Sequence, residues 1–138
     1  MRCSALIGLM LLSPACTRET DPRDLRPATE LVDRIEARLA GRPCIGALDR
    51  WERHYGYGLG GDHRSPDQGV ERDRITFAFV QAGIYGFRSR RLILSAREWR
   101  IGTDSRQMRF AFGEYDVPSG RLTVHGCGGN SDPDSARS

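Results

Sequence analysis

Apolar residues recur every third or fourth position from Ala28 to Gly41, and this spacing predicts an amphipathic helix. Its apolar stripe consists of Leu31, Val32, Ile35 and Leu39. Thr29 is placed to cap the first turn, and Gly41 followed by Pro43 ends the helix. Charged residues occupy the opposite face, so we expect the helix to lie with its apolar stripe on a sheet.

After the helix the period changes to two, which is typical of half-buried strands. Five strands are predicted, over Arg50–Tyr57, Arg74–Ala82, Arg91–Arg97, Gln107–Tyr115 and Arg121–Gly126. Residues 45–57 also fit helical spacing, but their aromatic density, together with Gly56 and Gly58, favours a strand. In the fourth strand the pattern predicts an inward face and an outward face. The inward residues are Met108, Phe110 and Phe112, and the outward ones are Arg109 and Ala111.

Short connections between consecutive strands indicate an antiparallel meander, and the helix is the element available to cover one of its faces. The predicted fold class is therefore α+β, with one N-terminal amphipathic helix packed on an antiparallel meander of about five strands. This single domain is expected to span residues 28–127. Residues 128–138 are rich in Gly, Ser and Asp and are expected to form a disordered tail.

The first fifteen residues have the layout of a signal peptide: a positive start, a short apolar run and small residues before position 16. The apolar run is too short to span a bilayer, which needs about 20 residues. Residues 16–27 are polar and contain two prolines, so they are expected to form a tether that leads to the domain.

The run Leu12-Ser13-Pro14-Ala15-Cys16 resembles the lipobox of bacterial lipoproteins. In that family the cysteine becomes the lipidated first residue of the mature chain. The resemblance implies a lipid anchor on Cys16 and, because Thr17 rather than Asp follows, an outer-membrane location facing the periplasm. The family prefers Leu where this chain has Ser13, and plain signal cleavage after Ala15 is the alternative.

Cysteine usage predicts one disulfide bond. Cys44 and Cys127 remain once Cys3 leaves with the leader and Cys16 is acylated, and exported chains meet an oxidising compartment. Such a bridge closes a long loop and would stabilise the fold by roughly 4 to 5 kcal/mol in the chain-entropy model. Two separate buried thiols are the alternative.

The charged residues of the chain exclude some classes of partner and site and suggest another. The net charge is +3, whereas nucleic-acid binders are usually far more basic, so no nucleic-acid partner is predicted. All 21 basic residues are Arg, which excludes a Schiff-base lysine or a phosphate-loop lysine. Arg88, Arg90 and Arg91 form the densest basic cluster, a candidate site for an anionic ligand such as an acidic lipid headgroup or a cell-wall polymer. A solvated face balanced by acids is the alternative.

No catalytic motif is present, so no catalytic residue, metal or cofactor is assigned. His54, His63 and His125 lack the spacing of a zinc site. We expect a non-enzymatic binding or structural module that contacts an unknown envelope protein or cell-wall component. The alternatives are a small metal-assisted hydrolase that uses His54, His63 or His125, and an anion binder that uses Arg88, Arg90 and Arg91.

Overall fold

The computed structural model describes residues 18–59, 70–83, 86–99 and 110–127. Those residues contain one α-helix and five strands, which establish the α+β class. The helix is α1 (Thr29–Leu39), and the strands are β1 (Trp51–Leu59), β2 (Val70–Gln81), β3 (Arg90–Ile93), β4 (Phe110–Asp116) and β5 (Leu122–Cys127). Residues 45–57 are thus not helical throughout: a 3₁₀ turn over Leu48–Arg50 leads directly into β1.

The strands form one mixed sheet in the order β3-β1-β2-β4-β5. Three of the pairings are antiparallel, but β3 runs parallel to β1, so the prediction of a purely antiparallel meander was wrong. The cause is the place where β2 ends. Gln81 lies opposite Trp51, at the start of β1, and the chain then crosses to the other edge of β1 and begins β3 beside that same end, with Arg90 opposite Glu52.

Helix α1 lies over one face of this sheet. Its residues Val32, Ile35 and Leu39 are fully buried in one cluster with the aromatic residues of β1 and β2, chiefly Tyr55, Phe77 and Phe79. The helix begins after Ala28, whose side chain makes no capping bond, so the prediction that Thr29 caps the first turn was wrong. Gly41 adopts a φ of 78° just beyond the helix, a conformation that favours glycine.

The facing of β4 is the reverse of the prediction. Ala111 is fully buried on the helix side, whereas Phe112 points away from it and is 37% exposed. The cross-strand partners explain this, because Phe79 lies opposite Ala111 and Phe77 opposite Gly113. Phe77 and Phe79 of β2 fill the space in front of this part of β4, so the small residues Ala111 and Gly113 face the core there. Met108, Arg109 and the side chain of Phe110 lie outside the described residues.

The sheet face opposite α1 is also partly covered, by the segment that follows β3. The strand predicted over Arg91–Arg97 ends at Ile93, and residues 95–98 form a turn in which Glu98 N–H donates to the Ser95 carbonyl. This turn brings the Trp99 ring against Gly56 of β1, where an added Cβ would lie 3.2 Å from the ring. Glu52, His54, Ala78 and Val80 are buried on this second face.

Part of the predicted tether is attached to the domain. The guanidinium of Arg97 donates to Asp21 at 2.7 Å and to Asp24 at 2.6 Å, and Arg26 pairs with Glu98. Pro27 is buried. The chain therefore joins the fold from about Asp21 onward, earlier than the boundary at residue 28 that composition indicated.

Candidate functional site

The candidate site lies on β1, on the sheet face opposite α1. Glu52 and His54 are two positions apart in a strand, so their side chains point to the same side, while Trp51 and Tyr55 point into the helix-side core. Both polar residues are buried, with 3% and 7% of their surfaces exposed. A carboxylate and an imidazole at such depth must be held by specific partners.

The carboxylate of Glu52 accepts hydrogen bonds at both oxygens. Oε1 accepts from Nε2 of His54 at 2.9 Å, and Oε2 accepts from the backbone N–H of Arg88 at 3.0 Å and from Nε of Arg90 at 3.1 Å. Burial acts to raise the pKa of Glu52, but these donors outweigh it and the pKa lies below its usual value. Glu52 is therefore ionised at neutral pH.

His54 is neutral and oriented by Glu52. Burial lowers its pKa more than the nearby carboxylate raises it. In the neutral ring Nε2–H donates to Glu52, which leaves the lone pair on Nδ1, and this buried atom has no hydrogen-bond partner. The indole of Trp99 stands almost perpendicular to the imidazole, with the ring centroids 6.4 Å apart. A carboxylate behind an imidazole is the arrangement that orients a general base.

The stability of the protein is expected to fall as the pH is lowered through about 6.5, because the pKa of His54 is lower in the folded than in the unfolded chain. In that window the unfolded chain binds more protons, so each pH unit costs at most about 1.4 kcal/mol. Below about pH 4.5 the lowered pKa of Glu52 adds a second loss of stability.

Urea unfolding at a series of pH values measures both slopes. His54→Gln removes the first titration but retains an amide that donates to Glu52, so its stability should depend less on pH between about 7 and 5. Equal slopes for the two proteins in that window would contradict the burial of a neutral His54.

The three arginines of the predicted anion site do not converge. Arg90 bonds Glu52 on one face of the sheet, whereas Arg91 reaches Asp33 at 2.5 Å and Glu36 at 3.4 Å on the helix face. Arg88 contributes its backbone N–H to Glu52. Adjacent residues of a strand point to opposite faces, so β3 separates Arg90 from Arg91.

Glu36, which the helical pattern placed toward solvent, instead ties α1 to β1. It accepts from Nε of Arg53 at 2.9 Å and from the hydroxyl of Tyr55 at 3.0 Å, besides its contact with Arg91. Burial and then the charge of Glu36 raise the pKa of Tyr55 well above its usual value. Arg91 is thus part of the contact between helix and sheet.

His54 and His125, two of the three histidines considered for a metal-assisted site, do not lie together. His125 on β5 is exposed, 3.4 Å from Glu114 and beside the ring of Phe112. Since β2 and β4 lie between β1 and β5, His54 and His125 are separated by three strand spacings, about 14 Å. His63 lies outside the described residues. Within those residues no group of three or more His, Cys, Asp or Glu side chains is placed to hold a metal ion.

Cys44 is half-buried against the helix-side core. The backbone of Cys127 lies opposite Ala111 at the end of β5, but its side chain is outside the described residues, as is Cys16. The pairing of Cys44 with Cys127 and the lipidation of Cys16 therefore stay predictions.

Sequence reasoning missed the roles of Glu52 and Trp99. Glu52 belongs to no motif that marks it in the sequence, although its alternation with Trp51 and Tyr55 places it beside His54 on the second face. The pattern gave no sign that this face is covered, because the covering segment follows a strand that ends four residues earlier than predicted.

Compared with protein-family models, with curated proteins and with solved structures, the chain shows no match. Across the residues that the structure describes, each helical segment falls short of the length and apolarity needed to cross a membrane. Function is therefore inferred from the residues themselves.

Proposed function

We propose that the chain is an exported envelope lipoprotein, anchored to the outer membrane through Cys16 and facing the periplasm, whose α+β domain is a non-enzymatic binding or structural module. The leader and the lipobox-like run carry the export and the anchor. Further support comes from the way residues 21–26 are bound to the turn at residues 95–98.

The bound N-terminal segment limits how far the domain can stand from its anchor. Asp21 is hydrogen-bonded to Arg97, so only five residue spacings separate Cys16 from the bound segment. Fully extended, that span measures about 17 Å. A lipid on Cys16 would hold the domain close to the bilayer surface, a position suited to contacts with membrane-associated partners.

Replacing Cys16 by Ser is expected to release the protein from the membrane fraction. Several acyl chains on one residue give stable anchoring, and the substitution removes their attachment point. The measurement is fractionation together with the intact mass of the protein expressed with its own leader and purified without reductant. The unsubstituted chain should be acylated at Cys16, and its mass should be lower by the two hydrogens that are lost when one disulfide bond forms.

Cys44→Ser is the matched control, because it alters a cysteine of the domain without touching the anchor. It should stay in the membrane fraction. An unacylated mature chain that begins after Ala15 would reject the anchor and leave a protein exported by plain signal cleavage.

A hydrolase remains the second candidate, and the Glu52–His54 pair is the observation that favours it. An imidazole oriented by a carboxylate can act as a general base once a substrate or water reaches Nδ1. Retained metal that is lost in a triple His54→Ala, His63→Ala and His125→Ala variant would support the metal-assisted form. Unchanged behaviour of that variant in every assay would reject it.

The anion binder that uses Arg88, Arg90 and Arg91 is the third candidate. Such a site would have to use the exposed ends of Arg88 and Arg90 on one face of the sheet. Arg91 could not take part, because it is paired with Asp33 and Glu36 of α1. Binding should then depend on salt and on Arg90, but not on Arg91.

A further inference from the structure

A polar groove crosses the sheet at the end of β2 and β4, on the face opposite α1. Its volume is about 440 Å³, within the range of pockets that bind small molecules. The groove is lined by Arg74, Glu114, Asp116, Ser119, Arg121 and Thr123. Two guanidinium groups, two carboxylates and two hydroxyls thus meet in one concave place.

The wall formed by the β4–β5 turn is fixed by hydrogen bonds. Gly120 N–H donates to the Asp116 carbonyl at 2.8 Å, and Ser119 N–H donates to the Asp116 carboxylate at 3.0 Å. Val117 N–H donates to the carbonyl of Asp73 on β2 at 2.7 Å, and Arg38 of α1 donates to the Gly120 carbonyl. A groove built on fixed elements loses little conformational entropy when it binds a ligand.

Both arginines have unused donors. The guanidinium of Arg121 makes no hydrogen bond or ion pair with the residues that the structure describes. Arg74 pairs through Nη2 with Glu71 at 2.5 Å and through Nη1 with Glu114 at 3.4 Å, which leaves one N–H on each of these nitrogens. Its Nε is buried beside Gly58 and is not available to a ligand. The planar guanidinium suits a carboxylate, which accepts two of its N–H groups at once.

The carboxylates decide the class of ligand. Glu114 and Asp116 oppose a ligand that carries negative charge alone, and Arg74 and Arg121 oppose one that carries positive charge alone. A ligand that carries both a positive and a negative group makes favourable electrostatic interactions with the carboxylates and with the arginines. A neutral sugar would usually find an aromatic face for its ring, and none is among the lining residues.

We propose that this groove binds a zwitterionic amino acid or short peptide, with the carboxylate of the ligand held by Arg121 and Arg74 and its ammonium group held by Glu114. The inference rests on the binding role proposed above and names its ligand class, but it does not depend on the lipid anchor. Thr123 supplies a hydroxyl group to the peptide portion of the ligand, whereas the Ser119 hydroxyl donates to Asp116 and accepts from the backbone N–H of Arg121.

The test is calorimetric titration of the purified mature protein with the dipeptide alanyl-alanine. Controls are the same dipeptide blocked as an N-acetyl derivative or as a C-terminal amide, inorganic phosphate, and glucose. Blocking either end should weaken binding at least about tenfold, as expected for the loss of a charge-assisted hydrogen bond. Arg121→Gln should weaken binding of the free dipeptide to the same extent. It should not further weaken binding of the C-terminal amide, because that ligand lacks the carboxylate that Arg121 holds.

Arg34→Gln, which changes an exposed arginine of α1 that does not line the groove, should bind the dipeptide as the unsubstituted protein does. Thermal melting of each variant establishes that it is folded. Equal binding of the blocked and free dipeptides, preference for phosphate or glucose, or no heat at millimolar dipeptide would each overturn the assignment. Those results would leave the anchor and the membrane location to be judged by the fate of Cys16→Ser.

Discussion

Replacing Glu52 by Ala is expected to lower the free energy of unfolding by about 3 to 5 kcal/mol, the usual cost of removing one partner from a buried ion pair. The substitution removes the acceptor of three donors: the imidazole of His54, the backbone N–H of Arg88 and the guanidinium of Arg90. His54 would then be buried without a hydrogen bond at either nitrogen. The side-chain burial of Glu52 makes water a poor substitute.

Chemical denaturation at neutral pH measures this cost, and two variants calibrate it. Glu71→Ala removes a carboxylate that is 47% exposed and pairs with Arg74, so it should cost no more than about 1 kcal/mol. Glu52→Gln keeps an acceptor but loses the charge and should fall between the two. If Glu52→Ala were no more harmful than Glu71→Ala, Glu52 would not hold β1 and β3 together.

Helix α1 and strand β2 could be predicted because each has a strong periodic pattern of apolar residues. Three residues of the predicted apolar stripe of α1, Val32, Ile35 and Leu39, lie buried in the helix-side core, and Leu31 packs against it. In β2 the alternation of Ile75, Phe77 and Phe79 matches their complete burial. These signals are local, and local signals suffice when one face of an element is much more apolar than the other.

The pairing of β3 and the facing of β4 could not be predicted, because both depend on contacts distant in sequence. The direction of β3 is set by where β2 ends relative to β1. Ala111 faces the core because Phe79 lies across from it, and hydrophobicity alone favoured Phe112 for that position.

The candidate site was partly visible in the sequence. His54 was singled out for its chemistry, but its partner Glu52 was not, since a carboxylate in an alternating strand is usually exposed. The burial of both follows from the turn at residues 95–98, which places Trp99 over β1. The same turn binds the N-terminal segment through Arg97, so the buried pair and residues 21–24 share one supporting element.

Replacing Gly113 by Ala is expected to destabilise the protein by at least about 3 kcal/mol, the upper part of the range for overpacking. A Cβ at this position would lie 2.1 Å from the carbonyl oxygen of Thr123 and 2.5 Å from the ring of Phe77. The first atom belongs to the backbone of β5, so the clash cannot be relieved by turning a side chain. Relief requires β5 to move away from β4, next to the register shift between Phe112 and Gly113.

Gly83→Ala is the matched control, because an added Cβ there meets no atom within 4 Å. The φ of 88° at Gly83 is unfavourable for a residue with a side chain. We therefore expect the free energy of unfolding to fall by about 1 to 2 kcal/mol from backbone conformation alone. Combining Gly113→Ala with Phe77→Leu separates the two contacts, since the shorter side chain vacates the ring position and leaves the Thr123 oxygen in place. Only partial recovery is expected. Full recovery would show that the β4–β5 pairing tolerates a Cβ at this position, and that packing against the core alone selects glycine there.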